Sequence, residues 1–193
     1  MERSLSNPYN GVTPLRRYYF TNMKRYTYFE SHLGPLLLVS DNQALTGLYF
    51  QIHRHGEQIR PDWRRIDMAK PFPQVKEQLA AYFAGELQVF DLPLALSGTE
   101  FQRLVWDKLQ GIPYGKVISY GELARQVNQP TSARAVGGAN ARNPLSIIVP
   151  CHRVIGARGN LTGYGGGLEV KAALLSFEAS VVASGAHPFP DST

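Results

Sequence analysis

Cys151 is the only thiol in the 193-residue chain, and a solitary soft nucleophile raises the question of what would activate it. A thiol attacks as its thiolate, so it needs an electropositive, hydrogen-bonded surrounding to ionise near neutral pH. His152 and Arg153 follow directly, and Tyr120, Asn143 and Glu178 are residues that folding could bring to it. Adjacent side chains in an extended segment point to opposite sides, so direct pairing of Cys151 with His152 is disfavoured and a water relay between them fits better. A lone cysteine is more often an inert buried hydrophobe than a reactive group; here the polar neighbours argue the other way. A single cysteine also excludes an internal disulfide and an all-cysteine zinc cage. A solitary working thiol suits a reducing, cytoplasmic setting.

The charge around this cysteine is one-sided. From Glu122 to Glu169 no acid intervenes, while Arg125, Arg134, Arg142, Arg153 and Arg158 all fall in that stretch. Arginine forks pair bidentately with phosphate oxygens. A solvated basic face is the ordinary explanation of such a run, but clustering about the only thiol favours a polyanion partner. The formal net charge of +5 is compatible with nucleic acid without establishing it. With 44% hydrophobic and 18% charged residues the composition is that of a soluble globular protein. No apolar run approaches the roughly 18 residues that a membrane span requires, so no membrane is expected as a partner.

The elements that must hold these residues divide the chain into four parts: a basic, acid-poor tail at 1–22, an α/β domain at 23–92, a mainly helical domain at 93–178, and a second tail at 179–193. A transit peptide would share the composition of the first tail. The fold class is α/β (α+β), an N-terminal antiparallel sheet with one helix, then helices containing a helix-turn-helix. Tyr26 and Tyr28, Leu36–Val39 and Leu45–Phe50, with turns at Gly34-Pro35 and Asp41-Asn42, predict a meander of short strands. Residues 53–70 are polar and irregular. A helix is predicted over Pro73–Ala84, with Val75, Leu79, Tyr82 and Phe83 on its inner face and Gly85 as its stop. Thr99 and Gln102 read as a capping box that opens a helix to about Gln110, with Phe101, Leu104, Val105 and Leu109 as its stripe.

Ser119 and Glu122 form a second such box, opening a helix to about Val127. Thr131 or Ser132 caps a third helix from Ala133 to about Ala141, and the pair across a tight turn makes the helix-turn-helix. The small residues Ala135, Gly137, Gly138 and Ala139 suit close approach, either to a neighbouring helix or to a DNA groove. Ile147–Val149 reads as a buried strand leading into Cys151, and the last helix as Leu168 to about Glu178 with Val170, Leu174 and Leu175 inward.

Pro150-Cys151-His152-Arg153-Val154 resembles the acceptor-site signature of the O6-alkylguanine-DNA alkyltransferases, the methylated-DNA–protein-cysteine methyltransferases. Ser119 to Ala124, Arg134 to Asn140, Asn143-Pro144, Thr162 to Leu168, and Lys171, Leu174, Leu175 and Glu178 extend the likeness over residues 98–178 in order and spacing. Gly34-Pro35 through Phe50 is similar to the family's N-terminal half more loosely. The resemblance implies an irreversible, single-use transfer of an alkyl group from O6-alkylguanine in double-stranded DNA, with O4-alkylthymine a further candidate, to Cys151. It implies a flipped target base, no cofactor, no metal, and a monomer for which cooperative binding on DNA stays open. The cytoplasmic setting becomes nucleoid-associated if the source is bacterial.

The resemblance also implies individual roles. Glu178 would bond His152, which draws the thiol proton through water to leave a thiolate beside an imidazolium. Asn143 would brace the turn ahead of Cys151. Tyr120 would crowd the target phosphate and protonate the departing guanine. Arg134 would fill the gap left by the flipped base, with Thr131, Ser132 and Ala133 beside it on the DNA. Val154, Tyr164 and Gly165 would line the base pocket. The chain departs from many relatives at Glu100 and Ala173, neither of which touches this chemistry. Two other readings remain: a Cys–His hydrolase, which leaves the helix-turn-helix unexplained, and a non-catalytic lesion binder, which would lack the acceptor cysteine.

Overall fold

The computed structural model describes residues 23–128 and 133–185. Strands β1 (Arg25–Ser31), β2 (Gly34–Ser40) and β3 (Leu45–Phe50) form an antiparallel meander, and the two-residue β4 (Arg64–Arg65) joins the free edge of β1 in parallel, giving the order β3-β2-β1-β4. The register pairs Tyr28 with Leu37 and Leu38 with Leu48. The first hairpin turns at His32-Leu33 rather than at Gly34-Pro35, which already belong to β2. β4 is the only ordered strand in the stretch of 53–70, whose Trp63 is buried.

Helix α1 (Phe72–Ala84) covers the sheet with Val75, Leu79 and Tyr82 buried. It stops at Gly85, where φ is 80°, a left-handed value that costs glycine little. Helix α2 (Glu100–Gln110) opens on a complete capping box: Thr99 accepts from the Gln102 amide and Gln102 reaches back to the Thr99 amide. Glu100 does not disturb it. Val105, Trp106 and Leu109 face inward, whereas Leu104 lies 41% exposed, so the stripe runs through Trp106 instead. β5 (Ile118–Ser119) leads into α3 (Tyr120–Gln126), capped by Ser119; α4 (Ala133–Ala141) follows. The expected cap of α4 at Thr131 or Ser132 lies outside the described residues. α5 (Leu168–Ala183) runs past Glu178, and Val181 is buried, packing close to Gly85. Lys171, Leu174 and Glu178 are its fully buried residues, while Val170 and Leu175 are half-buried.

The two halves share one core. Leu36, Leu38, Leu48, Leu79 and Tyr82 belong to the same buried cluster as Leu109, Leu123, Val136, Leu145, Cys151 and Leu174. β3 is the seam: Leu48 donates to Pro144 O (2.8 Å) and accepts from the Ser146 amide (3.0 Å), so the segment ahead of Cys151 is clipped to the sheet. Leu45 makes a matching pair of bonds with Pro93 and Ala95. Burial of this size resists change; truncating a leucine in such a core costs about 2–5 kcal/mol.

Candidate active site and nucleic-acid interface

The run into Cys151 is a tight turn, not the expected strand. Only Leu145 bridges to the sheet; Ile147 then adopts φ 70°, an unusual value for a β-branched residue. Cys151–Arg153 forms a single 3₁₀ turn, followed by β6 (Val154–Ile155), which pairs in parallel with β5. Asn143 braces this excursion from inside. Its amide donates to Val149 O (2.7 Å) and to Cys151 Sγ (3.0 Å), and its carbonyl accepts from the Leu145 amide (3.0 Å).

Cys151 is 2% exposed. Burial pushes its thiol up to about 11, against the Asn143 hydrogen bond and the positive charge of Lys171. His152 is fully buried. Burial lowers its pKa, with the Glu178 bond pulling the other way. Its Nε2–H donates to Glu178 Oε1 at 2.8 Å, leaving Nδ1 as a buried lone pair that bonds to no protein atom. Burial thus favours the neutral form of both the thiol and the imidazole, against the hydrogen bonds from Asn143 and to Glu178.

Glu178 anchors the network. Besides His152 it accepts from the Tyr82 hydroxyl (2.9 Å), the Gly115 amide (3.0 Å), and Nε and Nη2 of Arg153 (both 2.9 Å). Burial alone would raise its pKa. The hydrogen bonds and charge of His152 and Arg153 outweigh that and hold the carboxyl at about 2. Arg153 is itself buried, and its Nη1 donates to Ile112 O at 2.7 Å. A buried charge pair is tolerable only with this degree of hydrogen bonding.

Tyr120, at the start of α3, donates its hydroxyl to Thr162 O at 2.9 Å and packs its ring against Gly137 of α4. The small face of α4 thus serves helix packing on this side. Burial, then the nearby Cys151, raises the Tyr120 phenol to about 12. Lys171 is fully buried, donates to Val154 O (2.5 Å) and Thr162 O (2.7 Å), and lies 5.6 Å from the Tyr120 ring centroid. Burial lowers it to about 8, with the cysteine opposing. From the sequence Arg153 stands out only as a neighbour of Cys151 and Lys171 only within the family resemblance, and neither receives a role in the site there. The signal for Lys171 was its spacing from Leu174 and Glu178, which places it on the inward face of α5. Val154 is fully buried, Tyr164 and Gly165 nearly so. The hydroxyls of Tyr164 and Ser146 are buried without a partner of good hydrogen-bond geometry.

Arg134 and Ala133 are exposed in the first turn of α4. Arg134 and Arg142 line an open groove with Thr99, Phe101, Gln102 and Gly138. Thr131 and Ser132 lie outside the described residues. Arg134 and the buried cysteine turn thus occupy opposite ends of the same segment, α4 through the 3₁₀ turn, with Arg142 exposed between them.

Helices α3 and α4 pack against each other beside a buried, braced cysteine, and the comparisons supply the class of protein. Residues 24–96 match the ribonuclease-like domain of 6-O-methylguanine DNA methyltransferase, and residues 100–180 match its DNA binding domain. The chain belongs to the methylated-DNA–protein-cysteine methyltransferase family. It is 48% identical over 155 residues to a protein of that name from Methanosarcina acetivorans, covering 80% of this chain and 98% of the relative. The corresponding protein of Mycobacterium leprae is 52% identical over 149 residues, covering 77% and 88%. Among solved structures, Mycobacterium tuberculosis OGT in complex with DNA superimposes with a TM-score of 0.75 at 49% identity, covering 81% of this chain and 94% of that one.

Proposed function

We propose that this protein repairs alkylated double-stranded DNA directly, moving the alkyl group from O6 of a flipped guanine to Sγ of Cys151. The observation that carries this reading is the braced thiol: one cysteine, bonded to Asn143 and followed by a histidine whose Nε2 is fixed on a carboxylate and whose Nδ1 bonds to no protein atom. The thiol proton passes through a bridging water to His152 Nδ1, and Glu178 stabilises the imidazolium. The sulfur attacks the alkyl carbon in line, the S–C bond forms and the C–O6 bond breaks. The guanine takes up a proton, for which the Tyr120 hydroxyl stands ready once it leaves Thr162. The thioether is not reversed, so each molecule acts once.

In-line geometry cannot be reached with the base stacked, so the nucleotide must leave the helix at a cost of a few kcal/mol. In this reading Arg134, exposed at the start of α4, fills the gap, and Ala133 meets the backbone beside it; Thr131 and Ser132, which complete the expected contact, lie outside the described residues. Val154, Tyr164 and Gly165 line the pocket. The DNA-binding domain of the family and the solved DNA complex of its mycobacterial member support DNA as partner; alkylated guanine as the substrate, action as a monomer and residence with the DNA in a reducing compartment are parts of this reading, with O4-alkylthymine an open second candidate. Intact-mass measurement after mixing with O6-methylguanine duplex tests it. A stable gain of one methylene on Cys151 is expected. Tight binding with no gain would make the protein a lesion sensor, and a transient acyl adduct a hydrolase.

A further inference from the structure

The segment that follows β3 reaches Gly165, a residue that the transfer reading puts in the base pocket. The Arg54 amide donates to Gly165 O at 2.9 Å, a bond from the N-terminal half to the residue after Tyr164. Beside it the His53 ring lies against Gly165 so closely that a Cβ there would fall 2.5 Å from His53 Cε1 and 3.1 Å from Ala141 O. Ala141 O belongs to the end of α4 and cannot give way cheaply. The His53 ring is held too: it meets the Tyr49 ring edge-on at 5.3 Å, and its Nδ1 accepts from the His55 amide at 3.2 Å. Gly166 is equally confined, since a Cβ there would sit 3.0 Å from the Tyr164 ring and 3.1 Å from Phe50. The strip Tyr164–Gly166 is thus clamped between the sheet side and α4.

We propose that His53 and the Arg54 amide form a latch that fixes the back wall of the base pocket through Gly165, making His53 a positioning residue that limits the size of alkyl group accepted. This rests on the transfer reading above. The imidazole serves as a flat spacer rather than a charge: burial, then the neighbouring His55, lowers it to about 4, so it stays neutral at working pH. With the spacer in place, Gly165 cannot recede and Tyr164 holds its position. Without it, the strip has room to move back and a larger substituent fits. The Arg54 side chain is exposed and takes no part; only its amide is used.

The test is a double-mutant cycle read in single-turnover transfer and in duplex affinity. Wild type, His53→Ala, Gly165→Ala and the double variant are each mixed with O6-methyl- and O6-benzylguanine duplexes, and Cys151 alkylation is followed by mass. Gly165→Ala should slow methyl transfer about tenfold or more, and His53→Ala in that background should recover at least about threefold, within the range that contacting pairs show. His53→Ala alone should raise the benzyl-to-methyl rate ratio at least about threefold, while His53→Phe, which keeps a flat ring behind Gly165, should leave it within about twofold. DNA affinity should stay level throughout, so that the effect lies in the transfer rate and not in binding. A wild-type chain that gains no mass overturns the transfer reading and the latch with it. A reactive wild type overturns the latch alone if the two single changes combine additively, if both lesions slow equally in His53→Ala, or if the loss appears only as weaker duplex binding.

Discussion

Replacing Glu178 by glutamine keeps the shape of the side chain but removes the charge on which the Arg153 guanidinium and the His152 Nε2–H both converge. It also turns one acceptor atom into a donor facing donors. The magnitude follows from two routes. Glu178 and Arg153 are both buried, and removing one member of a buried, hydrogen-bonded pair costs about 3–5 kcal/mol. Independently, a carboxyl whose pKa falls from the ordinary 4.5 to about 2 on folding contributes about 3 kcal/mol of pH-dependent stability. The folded value lies below the unfolded one. That contribution is therefore complete above about pH 5 and drains away as the pH falls towards 2.

Urea denaturation of Glu178→Gln beside wild type, repeated from pH 7 to pH 2.5, reads both quantities. At pH 7 the variant should be less stable by about 3–5 kcal/mol, and the gap between the two should narrow steadily below about pH 4.5 as the wild-type carboxylate is protonated. Other carboxylates titrate in the same range but do so in both proteins, so the difference isolates Glu178. A variant within about 1 kcal/mol of wild type at pH 7, or a gap that does not depend on pH, would refute the network as drawn.

Cys151→Ala should abolish transfer while leaving affinity for lesion-containing duplex nearly unchanged, because the proposed DNA contacts are those of Arg134, Tyr120 and the phosphates rather than of the thiol; a parallel loss of both in an electrophoretic shift assay would contradict that division. Arg134→Ala should slow repair in duplex by more than it slows reaction with free O6-benzylguanine, and equal losses would remove the wedge role. Iodoacetamide labelling of Cys151 without DNA should climb with pH towards about 11, and Asn143→Ala should move that rise higher still, since the lost hydrogen bond favours the thiolate; a plateau near pH 7 would show a thiol already ionised at rest.

The parts of this molecule that were readable in one dimension are those set by local chemistry. The Thr99–Gln102 box, the Gly85 stop and the β1–β3 meander each follow from residue types within one or two turns of chain. The approach to Cys151 was misread as a strand because Ile147, Ile148 and Val149 are β-formers. Here Asn143 and the clip to Leu48 override that propensity and bend the chain through φ 70°. The far end of α5 extends for a similar reason, because Val181 finds a contact at Gly85 that only the folded chain creates. Cys151, His152, Asn143 and Glu178 could be named from their types. That Arg153 points inward to Glu178, and that the shapeless stretch at 53–54 backs onto Gly165, depend on pairings more than a hundred positions apart or between different elements.

The clip between Leu48 and the Pro144–Ser146 stretch makes the two matched regions interdependent. A cut at exposed Ser97 would separate one fragment whose β3 has lost the bonds of Leu48 to Pro144 and Ser146 from another whose reactive turn has lost its support. Neither piece would be viable by itself, yet each carries the surface that completes the other. Mixed together, they should regenerate activity only on association, which makes the chain a natural candidate for a complementation reporter with a covalent readout.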